Sequence, residues 1–230
     1  MLQWIQRALL FTGVGLLTYT ALVFTDAWRF QMQKSRALDQ AIESNQSVRA
    51  SAAAPADDLP DALAGNAPRQ PARIAYNRSS ASPLIGRLEI PRLGVSAIVM
   101  QGTDTFTLRR AVGHLPATAL PGEIGNAVLT AHRDTFFRPL KNIQEGDQIR
   151  LTTTKSQYLY RVVSISVIEP SNTAVVKSTG AETLTLVTCF PFSYIGPAPR
   201  RFVVRAERTL VDPGQVERDL TAARLEPQLH

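Results

Sequence analysis

From about residue 84 onward, apolar and polar residues alternate in short runs separated by turn-forming residues, the pattern of half-buried β-strands. The runs are Leu88-Glu89-Ile90, Ser96 to Met100, Ala127 to Leu129, Gln148 to Leu151, Tyr158 to Val163, Thr183 to Thr188 and Arg201 to Ala206. Turn signals break them at Pro91, Gly94, Pro121-Gly122, Gly125-Asn126 and Gly146-Asp147. Long helical periods are missing, so the pattern predicts an all-β domain of about seven or eight strands, an antiparallel barrel or sandwich. One short helix is expected around Thr105 to Val112, with Asp104 as its cap.

The amino-terminal part has a different pattern. Ala8 to Thr25 is a run of eighteen residues without a charge, flanked by Trp4 and Trp28 as interfacial anchors. It predicts a single membrane-spanning helix. A cleaved signal peptide is the competing reading, but the run exceeds the usual h-region and no clear Ala-x-Ala site follows. Arg7 lies on one side of the run and Arg29, Lys34 and Arg36 on the other, so the flanking charges leave the orientation open. The spacing of Met32, Ala37, Leu38, Ala41 and Ile42 suits a helix continuing out of the membrane as a stalk. Between Ser44 and Ser82, prolines at 55, 60, 68 and 71 amid Ala, Ser, Asn and Asp predict an extended linker. The expected division is therefore an anchor over 1–30, a stalk and linker over 31–82, a β-domain over 83–209 and a polar tail over 210–230.

Composition narrows the function. Among 230 residues, 44% are hydrophobic and 7% aromatic, enough for one compact domain with a modest aliphatic core. The net charge of +6 is spread along the chain instead of forming one stripe, which argues against nucleic acid as a partner. The chain has a single cysteine, Cys189, at the end of the 183–188 run, where Pro191 stops strand pairing and leaves the thiol at a rim. A lone cysteine is most often inert core. At a strand end outside the cytoplasm, with no partner for a disulfide, a free reactive thiol is favoured.

His132 ends an apolar strand as Cys189 does, whereas His114 lies in the Gly113-His114-Leu115-Pro116 stretch, read as a loop that could line a site. His132 is assigned the acid/base role, and His114 is kept as a substrate-loop candidate. On the run after Arg200, residues 201, 203 and 205 share one face, while Phe202 and Val204 share the other, the more core-like one. That alternation slightly favours Arg201 over Arg200 as an oxyanion-stabilising residue. Thr188 points to the strand face opposite Cys189, where packing or hydrogen-bonding support is the favoured role. One cysteine and two histidines lack the spacing of a zinc site, and no cofactor is expected. Cysteine, histidine and arginine together point to acyl transfer.

These segments resemble the sortases. Thr185-Leu186-Val187-Thr188-Cys189 is similar to their TLxTC signature, and Ala131-His132-Arg133-Asp134-Thr135-Phe136-Phe137 to their histidine segment. The stretch from Pro191 to Phe202 resembles the class D type, and the resemblance extends over roughly residues 84–208, including Leu88 to Leu93 and the Gly113-to-Gly125 loop. Ala131 stands where a glycine commonly precedes the histidine, so it joins His114 and Thr188 among the candidate substrate-binding positions.

The resemblance implies a closed eight-stranded β-barrel outside the cytoplasm, anchored in the cell membrane. It implies transpeptidation at an LPxTG-like sorting motif of a protein substrate, with Cys189 as nucleophile, His132 as general acid/base and Arg201 steadying the oxyanion. The acceptor would be an amine on a cell-wall precursor or a pilin lysine. Two alternatives stay open: a cysteine hydrolase on the same site, and a membrane-tethered β-barrel binding module with an incidental thiol.

Overall fold

The computed structural model describes residues 2–52, 84–194 and 196–209. Of the extended linker expected from Ser44 to Ser82, residues 44–52 are instead helical, continuing the amino-terminal helix because this alanine- and serine-containing stretch holds no proline before Pro55. Its remainder over 53–82 and the tail over 210–230 lie outside the described residues. The first element is one long helix, α1 (Leu2–Ala52). Eight strands follow: β1 (Leu84–Ile90), β2 (Val95–Gln101), β3 (Val112–His114), β4 (Gly125–Thr130), β5 (Gln148–Thr153), β6 (Gln157–Ile168), β7 (Glu182–Phe190) and β8 (Arg200–Thr209). A short helix, α2 (Thr105–Arg110), joins β2 to β3.

The strands close into a barrel in the order β1-β2-β3-β4-β7-β8-β6-β5, with β5 returning to β1. Two pairs are parallel, β2 with β3 and β4 with β7, and the others are antiparallel. A parallel pair needs a crossover. The first pair obtains it through α2, and the second through the β5–β6 hairpin that lies between β4 and β7 in sequence. The purely antiparallel arrangement expected from short alternating runs therefore gives way to a mixed barrel.

Turn chemistry fixes the local structure. Asp104 caps α2, its Oδ1 accepting from the backbone N–H groups of Phe106 (3.0 Å) and Thr107 (3.1 Å). Gly94 takes a left-handed φ of 62° to end the Pro91–Leu93 turn and start β2. β3 escapes the sequence pattern because three residues are too few for alternation to register. Gly113 is needed there, since a Cβ would run into the carbonyl of Gly102. Gly125-Asn126, a turn signal in the sequence, instead opens β4 as a buried pair.

Inward-facing residues of every strand build one core, including Leu88, Val99, Leu129, Leu151, Leu186 and Val204, with Tyr160 and Phe137 among its largest fully buried side chains. Each such side chain contributes roughly 1.5–3 kcal/mol through burial.

The helix does not stand free of this barrel. Leu38 is fully buried against Ile98, Met100 and Ala111 on the barrel's outer face, with Phe30 and Ile42 beside it. Gln31 donates to Arg110 O and accepts from Ile98 N–H, bridging α1 to both α2 and β2. Asp26 pairs with Arg110 (2.7 Å) and Asp39 with Arg87 (2.8 Å). The segment read as a stalk is thus a helix, as its spacing predicts, but one docked along the barrel wall.

Among the described residues, no helix is long and apolar enough to cross a membrane. Six side chains within Ala8–Thr25, at positions 8, 19 and 21–24, lie outside the described set. In the described part of that run Leu9, Leu10, Phe11, Leu16 and Leu17 are exposed and touch no core.

Candidate active site

Cys189 ends β7 and is directly opposite Arg201 of the antiparallel neighbour β8. Directly opposed residues share a sheet face. Leu184, Leu186 and buried Thr188 point inward, so Cys189 points outward, and Val204 and Ala206 place Arg201 on the same outer side. β4 runs parallel to β7 with Leu129 beside Leu186 and Thr130 beside Val187. The Ala131 N–H continues that pairing to Val187 O. Carried one residue further, the register sets His132 beside Cys189 on the outer face. Half-buried Cys189, exposed His132 and half-buried Arg201 therefore meet at one end of the barrel.

The turn after β4 is locked so that His132 is presented there. The His132 carbonyl accepts from the N–H groups of Thr135 (3.4 Å) and Phe137 (3.3 Å), and the Phe137 ring is fully buried in the core. The loop between Cys189 and Arg201 is seated on an aromatic plug. Phe202 stacks on Phe190 with centroids 6.2 Å apart and meets Phe192 edge-on at 5.1 Å. The peptide bond between Phe190 and Pro191 is cis.

The two arginines separate as alternation suggests. Arg201 donates from Nη1 to the carbonyls of Ala198 (3.2 Å) and Arg200 (3.0 Å), so its other donors remain for a ligand on the outer face. Arg200, opposite Phe190, turns instead to Glu169 at 3.7 Å.

Thr188 and Ala131 support the site from inside. Thr188 Oγ donates to Ala131 O at 2.7 Å in the buried interior, cross-linking β7 to β4 one residue before Cys189 and His132. The Ala131 side chain belongs to the core. Neither side chain faces the groove where a substrate would lie.

His114 is not brought to this site at all. It ends β3 at the opposite end of the barrel, only 1% exposed, with Nε2 donating to Ala119 O (2.8 Å) and Nδ1, the acceptor in the neutral ring, 2.9 Å from the side-chain amide of Gln101, which donates to it. Burial pushes its pKa below the ordinary value of 6.5. It lines a mainly apolar cavity of about 510 Å³ together with Leu84, Gln101, Pro121, Thr153 and Tyr158. The loop reading failed because a three-residue strand and a glycine-proline stretch are indistinguishable by composition.

Sequence reasoning passed over other residues that shape the site. Asn126 and Thr185 face outward on β4 and β7 and are buried there: Thr185 Oγ donates to Asn126 Oδ1 (2.7 Å), and Asn126 Nδ2 donates to the carbonyls of Val175 (2.8 Å) and Lys177 (3.2 Å). They pin the 173–177 segment as a wall along the outer β4–β7 face. Arg133 ties the turn after His132 to the loop that follows Cys189. The buried Asn at a strand start offered a signal only as a turn residue, and Arg133 only as a neighbour of His132.

At the same end, the Asp147 carboxylate accepts from Arg92 (2.6 Å to Nη2) and from Gln144 N–H, which together hold it below the usual carboxylate range. Among the described residues, no group of three or more His, Cys, Asp or Glu side chains is placed to hold a metal ion.

The arrangement can carry out acyl transfer: a thiol at a rim, an imidazole on the same face, and a guanidinium directly across the ladder. Comparison with known proteins agrees. Over 139 residues the chain is 35% identical to sortase D of Bacillus subtilis, covering 58% of this chain and 70% of that relative. A solved Clostridium perfringens sortase D5 transpeptidase superposes with a TM-score of 0.51 at 30% identity, covering 55% of this chain and 79% of that one. Streptococcus pneumoniae sortase C, described for its pilin substrate specificity, gives 0.52 at 32% identity over 56% and 70%. The family model described as a sortase domain matches residues 88–209, more than half of the sequence, and the chain belongs to the sortase family.

Proposed function

We propose that this sortase is a membrane-anchored cysteine transpeptidase acting on an LPxTG-like sorting motif. The Cys189 thiolate attacks the scissile carbonyl carbon, forming the C–S bond, and Arg201 stabilises the oxyanion. Collapse breaks the C–N bond while His132 protonates the departing amine, leaving a thioester. An incoming amine then gives its proton to His132, attacks the thioester carbonyl and expels the thiolate. The observation that supports this reading is that Cys189 and Arg201 are direct cross-strand neighbours, and the β4–β7 pairing, continued two residues past Thr130 and Val187, brings His132 alongside.

The acceptor is an amine of a cell-wall precursor or a pilin lysine, the second supported by the pilin specificity named for the Streptococcus pneumoniae relative. The run of exposed apolar side chains at the start of α1 supports insertion into a bilayer, with the amino terminus cytoplasmic and the barrel outside. Anchoring brings enzyme and membrane-held substrate together and raises their effective concentration.

The test incubates the full chain in detergent micelles with a panel of LPxTG-like peptides and an amine acceptor, read by mass spectrometry. The expected result is a peptide adduct on Cys189 that is absent in Cys189→Ala, resolved mainly to the amide. Resolution mainly to free acid makes the enzyme a hydrolase, and a folded, thiol-reactive protein that no peptide acylates overturns the sorting-motif reading.

A further inference from the structure

The loop from Cys189 to Arg201 has to hold two reacting groups in register, yet its own backbone supplies little to hold it. Among the described residues, it makes one backbone bond within itself, Tyr194 N–H to Pro191 O at a long 3.4 Å. It also carries prolines at 191, 197 and 199 and a glycine at 196, so it offers few donors of its own. Beyond the Phe192 ring on its aromatic plug and the Arg201 bond to Ala198 O, what fastens it is a side chain from the turn after β4. The Arg133 guanidinium donates to three of its carbonyls, Pro191 O (3.0 Å), Tyr194 O (2.6 Å) and Gly196 O (3.1 Å), and stands 5.8 Å from the Tyr194 ring centroid. No carboxylate pairs with Arg133 among the described residues, so its charge is directed entirely at backbone carbonyls and one aromatic face.

Arg133 is also the residue after His132, on a turn anchored by buried Phe137. The clamp therefore joins two chain segments: the turn presenting the imidazole and the loop spanning from the thiol to the oxyanion arginine. We propose that Arg133 is a positioning residue, which sets the spacing of His132 against Cys189 and Arg201 by fastening the Pro191–Gly196 loop to the turn after β4. It touches no reacting atom in this account. Only a planar guanidinium has the fork of donors for three carbonyls spread around a bend, so lysine can replace only part of the function.

This inference rests on the acyl-transfer reading of the site, and its test separates the two. The full chain in detergent is compared with Arg133→Gln and Arg133→Lys by hydrogen exchange and by peptide turnover, each also in a His132→Ala background. Exchange of the Tyr194 N–H, the one bonded amide within the loop, needs no substrate. It is expected to quicken in Arg133→Gln while β1 and β2 stay protected, and unchanged exchange overturns the clamp even if no peptide is ever processed. In turnover, Arg133→Gln is expected to lower kcat about 10²-fold, the scale of a misplacement near 1 Å, with KM changed less than about threefold and Arg133→Lys intermediate.

The decisive readout is the cycle with His132. If Arg133 acts by placing His132, Arg133→Gln costs far less once His132 is alanine. A merely structural role lowers the folded fraction equally in both backgrounds, and an equal loss in both overturns the proposal. So does a folded Arg133→Gln protein that turns over within about twofold of an active wild type, less than 0.5 kcal/mol of transition-state stabilisation.

Discussion

Each end of the barrel carries a histidine at or just beyond the end of a strand, and the two are treated in opposite ways. At one end His132 is exposed, and among the described residues its ring makes no hydrogen bond, while its backbone carbonyl is held by Thr135 and Phe137. At the other end His114 is buried, with both ring nitrogens occupied by Gln101 and Ala119. A proton-transfer group needs a fixed backbone and a ring free to exchange protons with a ligand, which is the first arrangement. A ring bonded through both nitrogens inside the fold has no capacity left for a substrate. The difference lies in hydrogen bonding and not in residue type or strand position.

The largest effect expected from this contrast is a crossed pair of variants. His132→Ala removes the proposed acid/base and should reduce kcat/KM by about 10²–10⁴-fold. Its thermal unfolding should change by no more than about 0.5 kcal/mol, because the side chain is exposed. His114→Leu should reverse the pattern. It strips the partners from Gln101 and Ala119 O, at a cost of about 2–3 kcal/mol in stability, while the folded fraction keeps its turnover. Denaturant titration and steady-state kinetics on both variants check this, and a His114→Leu protein that folds well but no longer acylates would place His114 in the reaction after all.

That contrast also marks what the sequence makes legible. Strand-period alternation locates seven of the eight strands, and the Cys189 and His132 strand ends are readable because each closes an apolar run. The inward or outward parity of Thr188, Cys189 and Arg201 is readable for the same reason: a period of two leaves little freedom. What escapes is set by contacts distant in sequence. The parallel pairing of β4 with β7 spans the whole β5–β6 hairpin. The burial of His114 depends on Gln101 across a parallel neighbour and on a turn at Ala119. Docking of α1 depends on Ile98, Met100 and Ala111, which alternation alone cannot distinguish from ordinary strand residues. Thr188 turns inward as its parity predicts and bonds Ala131 O there, while Ala131, singled out for standing in place of a glycine, turns inward too, because period-two alternation from Leu129 carries its side chain into the core.

The second effect is on pH dependence. In the unfolded chain His114 takes up its proton near the ordinary value of 6.5, whereas burial lets the folded form do so only at lower pH. Between those values the unfolded chain binds one proton more, so the contribution of neutral His114 is complete above 6.5, falls as pH drops through the window and levels off below the folded value. His114→Gln, which cannot titrate, should flatten this part of the stability profile in urea unfolding between about pH 5 and 8. An identical slope in the two proteins would mean that the far end opens to water in solution and that the contrast between the two histidines is one of position only.

The smallest effect tests how tightly the reactive end is built. Thr188 and Cys189 are chain neighbours on opposite faces, one bonded inside to Ala131 O and the other facing the groove. Thr188→Val keeps the shape and removes the hydroxyl, so Ala131 O loses its donor in a buried place, at a cost of about 1 kcal/mol. Because that bond ties β7 to β4 immediately before Cys189 and His132, the same variant should lower kcat by several-fold with KM unchanged. A rise in KM at constant kcat would mean instead that Thr188 touches the peptide, and the inner and outer faces of β7 would no longer divide support from chemistry.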